Sequence, residues 1–297
     1  VTKKLDRQHQ IALIVEGGGF KSSFTAGILD SFIMNNFDPF QLYIGISGGA
    51  MNITSYVSQQ YKRNINIISA ISENTNFISI IRFLKGGNYM ELKYLLEVSS
   101  KDYPFDINAA NHYLKDSECK VVVTNYNSGN PEYLSVKKYG WQKTMEATGS
   151  LPVAIRGYCE IAGRKYIDGG LSDPLPVKRV YDWGYRNIVL LRTHPIDVKP
   201  DWKLESLYAP LFYRNNPKLK KLIMIIWPTL CILTQILLEV TAQQMLMHGG
   251  IISQLLFLQI IFWCLNTTAP QESFIFHCGI TMMVLLPGVG PTTKLRA

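Results

Sequence analysis

The feature that most limits the fold is a pattern that occurs twice near the amino end. "IALIV" (11–15) is a continuous apolar run broken at once by "EGGGF". From Ser22 to about Met34 the positions Phe24, Ile28 and Phe32, with Leu29 and Ile33, then share one helical face. "QLYIG" gives way in the same manner to "ISGG", after which Ala50, Ile53 and Val57 mark the apolar side of a helix running to about Gln60. A strand that is apolar at every position is buried on both faces, and a parallel neighbour requires a crossover, which a helix supplies. Further strands are expected at "KVVVTN" (120–125), "EYLSVK" (132–137), "KYI" (165–167) and "NIVLLRT" (187–193). The alternation predicts an α/β fold, a three-layer sandwich whose central, mostly parallel sheet carries helices on both faces.

Composition then sets the extent of this domain. A chain of 297 residues, 47% hydrophobic and 18% charged, buries a large core, and the α/β pattern occupies residues 11–200. Residues 201–297 differ. Leu222 to Leu238 is uncharged and interrupted by Pro228, and Thr241 to Pro270 carries no charge beyond His248. These apolar runs are expected to be helical, and three natures fit the region: a membrane-associating appendage, a buried helical lid, or an artefactual, frame-shifted stretch. Lys218, Lys220 and Lys221 stand directly before "LIMIIW" and favour the first, because cations beside an apolar segment suit an anionic lipid surface. The remaining basic residues behind the net charge of +8 are scattered, and none form a run interleaved with aromatics, so nucleic acid is not the expected partner. Cys119, Cys159, Cys231, Cys264 and Cys278 contain no Cys-x-x-Cys pair, which argues against a disulfide framework or a zinc site. Reduced thiols and the lack of a visible signal peptide suit a cytoplasmic protein, with or without membrane association.

Three short motifs carry the chemistry. Gly45-Ile46-Ser47-Gly48-Gly49 fits G-x-S-x-G, a pattern that chance alone produces in roughly one chain in ten of this length. Its place between an apolar strand and a helix is what a nucleophile elbow requires: side chains at 45 and 49 would collide, and the helix amino end favours negative charge. In Glu16-Gly17-Gly18-Gly19-Phe20-Lys21-Ser22, consecutive glycines turn backbone N–H groups toward an anion, and Lys21 adds charge. Walker A fails here, since Phe20 precedes the lysine and Val15 stands where its first glycine belongs; the dinucleotide fingerprint fails at Ser22. An oxyanion hole remains. Asp168-Gly169-Gly170 ends a strand, and taken alone it reads as a turn-forming aspartate.

In this order the motifs resemble the patatin-like phospholipases, and the bacterial intracellular branch in particular. "EGGGFKS" is similar to that family's glycine-rich oxyanion segment, "GISGG" to its elbow and "DGG" to its second catalytic segment. Thr148-Gly-Ser-Leu-Pro152 resembles the small-residue and proline block upstream. The resemblance implies a lipid acyl hydrolase with Ser47 as nucleophile and Asp168 as proton acceptor in a dyad without histidine. It implies an oxyanion hole at Gly17, Gly18 and Gly19 with Lys21 in support, turns shaped by Gly45, Gly49, Gly169 and Gly170, acyl lipid as substrate, and no metal or organic cofactor. An aspartate of ordinary pKa is a weak base for an alcohol, which shifts the burden to the oxyanion hole. Ser22 departs from the family's glycine. Two alternatives stand: a Ser–His–Asp esterase using His194, and a catalytically weak membrane-binding protein on the same fold.

Overall fold

Both glycine-rich stretches join a strand to a helix. The computed structural model describes residues 6–72, 74–152, 154–193, 216–219, 275–276 and 282–285. Strand β1 (Ile11–Val15) leads into α1 (Ser22–Met34), and β2 (Phe40–Gly45) into α2 (Gly48–Val57), which ends three residues before Gln60. Helices α3 (Arg63–Ser72), α4 (Ile80–Leu84), α5 (Leu92–Lys101) and α6 (Ile107–Tyr113) follow before the chain re-enters the sheet as β3 (Glu118–Asn125). Then come β4 (Pro131–Ser135), α7 (Val136–Tyr139), α8 (Trp141–Thr148), β5 (Cys159–Ile161), β6 (Arg164–Asp168), α9 (Val177–Asp182) and β7 (Asn187–Leu191). Two short strands, β8 (Ile275–Phe276) and β9 (Met282–Leu285), lie farther along the chain.

These strands share one mixed sheet in the order β5–β6–β3–β2–β1–β7–β9–β8, with β4 also on β3. The four central strands, β3, β2, β1 and β7, are parallel. The flanking strands all join antiparallel. The expected mostly parallel sheet is therefore parallel at its four central strands and antiparallel at the margins. Connection length explains the difference: β5 and β6 are joined through Ala162 and Gly163 at φ 50° and 74°, and so short a turn can only reverse the chain.

Strand β1 shows why the central strands read as unbroken apolar runs. Leu13 and Val15 face a cluster containing Phe32 of α1, Ile53 and Tyr56 of α2 and Met145 of α8. Ala12 and Ile14 face the opposite cluster, which contains Val180 of α9. Helices thus cover both faces of the sheet, and each fully buried side chain of this size contributes roughly 1.5–3 kcal/mol. A third cluster, with Ile67 and Ile71 of α3, Phe77, and Leu92, Leu95 and Val98 of α5, packs alongside.

The apolar runs 222–238 and 241–270, with Lys220, Lys221, His248, Cys231 and Cys264, lie outside the described residues, as does Cys278. Described pieces of this region join the domain in two ways: Asn216 Nδ2 donates to the Tyr126 carbonyl at 2.7 Å beside a helical turn at 217–219 that buries Leu219, and β9 pairs with β7, from Ile188↔Leu285 to Leu191↔Met282, covering that edge. Among the described residues no helix is long and apolar enough to cross a membrane. Cys119 and Cys159 are buried free thiols.

Candidate active site

Strand register brings distant residues to one level at the carboxyl ends of the parallel strands. Val15 pairs with Gly45 on one side and with Leu191 on the other, while Gly45 pairs with Val121. Two residues beyond each of these stand Gly17, Ser47, Thr193 and Val123, and Asp168 is the antiparallel partner of Val123. An open α/β sheet binds ligands at this edge, where neighbouring connections diverge to opposite sides. Here β1 connects onward to β2 on one side and has β7 on the other.

Ser47 has φ 49° and ψ −124°, a conformation that L-residues rarely adopt and that costs of order 1–3 kcal/mol. The surrounding backbone enforces it. A Cβ on Gly45 would lie 2.3 Å from Ala50 Cα, and one on Gly49 would lie 2.3 Å from the Val15 oxygen and 2.5 Å from that of Glu16. The two motif glycines are therefore steric requirements. The Ser47 N–H donates to Thr148 Oγ1 at 2.9 Å, and that hydroxyl donates in turn to the Val122 carbonyl at 2.7 Å. Thr148 opens the small-residue and proline block, and its position is a clamp on the elbow.

The glycine turn after β1 is held differently. Thr193 donates through Oγ1 to the Gly17 carbonyl at 2.6 Å and through its N–H to Glu16 Oε2 at 2.6 Å. A Cβ on Gly17 would sit 3.1 Å from Ser47 Cβ, which fixes how closely the turn approaches the serine. Gly19 adopts φ 54°, and its carbonyl accepts the Ser22 hydroxyl at 2.7 Å. Ser22 also accepts Asn52 Nδ2 on its carbonyl at 2.7 Å, tying α1 to α2, so the departure from glycine here is accommodated. Gly48 makes the room, since a Cβ there would lie 2.8 Å from Ser22 Oγ. Among the described residues the N–H groups of Gly17, Gly18, Gly19 and Gly48 meet no acceptor. Lys21 is half-buried, and burial lowers its amine below the usual lysine range while Glu16 acts in the opposite direction.

Asp168 is 2% exposed. Its Oδ1 accepts the Gly170 N–H at 2.8 Å, its carbonyl accepts Thr124 Oγ1 at 2.8 Å, and its N–H donates to the Ser150 carbonyl at 3.0 Å. A Cβ on Gly169 would fall 2.2 Å from the Val122 oxygen, so the turn must pass this close to β3 on a glycine. Burial raises the carboxyl from 3.8 to about 6; the Ser47 hydroxyl and the Gly170 N–H pull it partly back down. This corrects the expectation of an ordinary carboxylate. Oδ2 is buried and closes no hydrogen bond among the described residues, while the Ser47 hydroxyl is near enough to act on the carboxyl.

The patatin-like phospholipase family matches residues 13–181, a span that holds all three motifs and more than half of the chain. The chain belongs to this family. It is 32% identical over 196 residues to the YjjU protein of Escherichia coli (strain K12), covering 65% of this chain and 55% of YjjU, so the chain spans about half the length of that relative. The structure of VipD from Legionella pneumophila aligns with 59% of this chain and 51% of its own at 16% identity and a TM-score of 0.35, too loose a likeness to bear on function.

The structure brings Ser47, Asp168 and the glycines at 17–19 to one edge of the sheet, and Lys21 lies within the electrostatic influence of Glu16. His194 and His277 lie outside the described residues. Among those residues no cluster of three or more His, Cys, Asp or Glu could hold a metal. Thr193 and Glu16 had no signal of their own in the sequence: their roles arise from the β1–β7 pairing, which joins residues 177 positions apart.

Proposed function

We propose that this chain hydrolyses carboxylic esters of phospholipids or related acyl lipids through an acyl-enzyme at Ser47, with Asp168 as proton acceptor. The reading rests on one observation above others: a strained serine, a buried aspartate and four amides whose N–H groups meet no acceptor among the described residues lie at a single level of the sheet. Ser47 Oγ attacks the ester carbonyl carbon as its proton passes to Asp168. The carbonyl oxygen becomes an oxyanion facing the amides of Gly17, Gly18, Gly19 and Gly48, each well-placed donor contributing on the order of 3 kcal/mol. Collapse expels the alcohol, which takes the proton from Asp168. Water then attacks the acyl-enzyme through the same groups, releases the carboxylic acid and restores Ser47.

A carboxyl at about 6 is a better base than an ordinary aspartate, yet an alcohol is a far weaker acid, so the amides still carry much of the stabilisation. The shared level of Ser47 and Asp168 at the carboxyl edge of the sheet supports the dyad. A lipid hydrolysis panel tests this. Ser47→Ala and Asp168→Asn are expected to lose turnover while His194→Ala retains it. Loss in His194→Ala as deep as in Ser47→Ala would overturn the dyad.

A further inference from the structure

The segment between α3 and α5 carries an exposed feature that the chemistry at Ser47 does not use. Helix α4 projects Ile81 and Leu84 into solvent at 63% and 77% exposure, the latter the most exposed large apolar side chain among the described residues. The helix is held firmly. Ser79 caps it, its Oγ accepting the Arg82 N–H at 3.2 Å, and the Arg82 guanidinium donates to the carbonyls of Asn76, Phe77, Asn88 and Tyr89. Arg156 secures the far side, donating through its N–H to Asn88 Oδ1 at 2.8 Å and through Nε to the Gly87 carbonyl at 3.0 Å. A frayed loop would expose apolar groups by accident; this one is built so that they stay exposed.

Charge identifies the occupant. Residues 74–90 and 150–159, which make up most of the projection and its support, contain Arg82, Lys85 and Arg156 and no acidic residue, and the flanking Glu73, Glu91 and Glu160 stand away in sequence from the tip at 81–85. Lys85 directly follows Leu84 and is exposed. An apolar tip rimmed by cations matches a bilayer with anionic head groups, where aliphatic side chains enter the boundary and cations remain at head-group level.

The projection is also continuous with the site. Phe77, whose carbonyl Arg82 holds, packs edge-on against Phe20 with ring centroids 6.0 Å apart, and Phe20 lies inside the glycine turn. Met51, one helical turn beyond Ser47, and Met90 pack against the same cluster.

We infer that α4 is an interfacial anchor that docks the protein on an anionic lipid surface, with its apolar underside leading from that surface to Ser47. The inference rests on the lipid-hydrolase reading for its purpose, but binding is measurable without turnover. The experiment uses the full chain carrying Ser47→Ala and follows co-flotation with vesicles of phosphatidylcholine alone or mixed with phosphatidylglycerol, at low and high salt. The parent is expected to bind the mixed vesicles more strongly, and less so at high salt. Adding Leu84→Asp is expected to lower that partition about tenfold. Lys85→Glu is expected to lower it several-fold and to flatten the salt dependence, and Ile81→Ser provides a second apolar test at an exposed position. Thermal unfolding of each variant at the parent's temperature shows that the fold is intact. No partition by the parent, equal partition onto both vesicle types, or variants that bind like the parent would overturn the anchor. Failure of Ser47-dependent hydrolysis of a water-soluble ester would instead overturn the hydrolase reading and leave the vesicle result standing.

Discussion

Two glycine turns follow two adjacent parallel strands and end within contact of each other, yet they are held by different means. Around Ser47 the restraint is chiefly steric, with Thr148 as its one side-chain clamp: the glycines at 45 and 49 leave no room for a Cβ against Ala50, Val15 and Glu16. The turn at 17–19 is held by side chains, with Thr193 on Gly17, Ser22 on Gly19 and Glu16 on Thr193. Packed backbone permits only one arrangement and does not tune, whereas a hydrogen-bond network loses one member at a time. Ser47 is therefore placed rigidly and the glycine turn at 17–19 adjustably.

Substitutions should separate these two regimes. Gly49→Ala has the largest expected effect, because its Cβ meets fixed backbone: a loss of about 3 kcal/mol or more in denaturant unfolding, with activity lost alongside. Near-normal stability would show that the elbow yields. Asp168→Asn comes next, lowering kcat by about 100-fold or more with the fold retained. Thr193→Val removes one bond from the adjustable turn and is expected to lower kcat about tenfold and stability by about 1 kcal/mol. A loss as severe as that of Gly49→Ala would erase the contrast. Ser47→Gly is the smallest in size and opposite in sign: hydrolysis disappears, but relief of the φ 49° conformation raises stability by about 1 kcal/mol.

The raised Asp168 carboxyl adds a pH signature. The folded chain holds this proton more tightly than the unfolded chain, so the group's contribution to stability is full below 3.8 and lost as pH rises through about 6. Asp30, also buried and raised to about 6, has the same sign, so the difference between wild type and Asp168→Asn isolates Asp168. Under the proposed dyad catalysis moves the other way, because Asp168 must be ionised to accept the proton: turnover is expected to fall as pH drops below about 6.

The central strands and their turns were legible in the sequence because burial on both faces leaves a continuous apolar run and close approach demands glycine. Marginal elements were less so. "EYLSVK" reads as one strand, but β4 stops at Ser135 and Val136 begins α7, since a half-covered strand shows no uninterrupted run. Cys159–Ile161 is too short to show a period. In the site, Ser47, Asp168 and the glycines were visible as motifs. Thr193, the clamp at Thr148 and the carboxyl near 6 were not, because each depends on register and burial between segments far apart in the chain.

The most direct test is the rate at which a fluorophosphonate phosphonylates the folded chain with loss of fluoride, with the modified residue located by mass spectrometry, in wild type and in Asp168→Asn. The account predicts a single adduct on Ser47, formed at least tenfold more slowly in Asp168→Asn. An unlabelled wild-type chain, an adduct on another residue, or equal rates in the two proteins would contradict it.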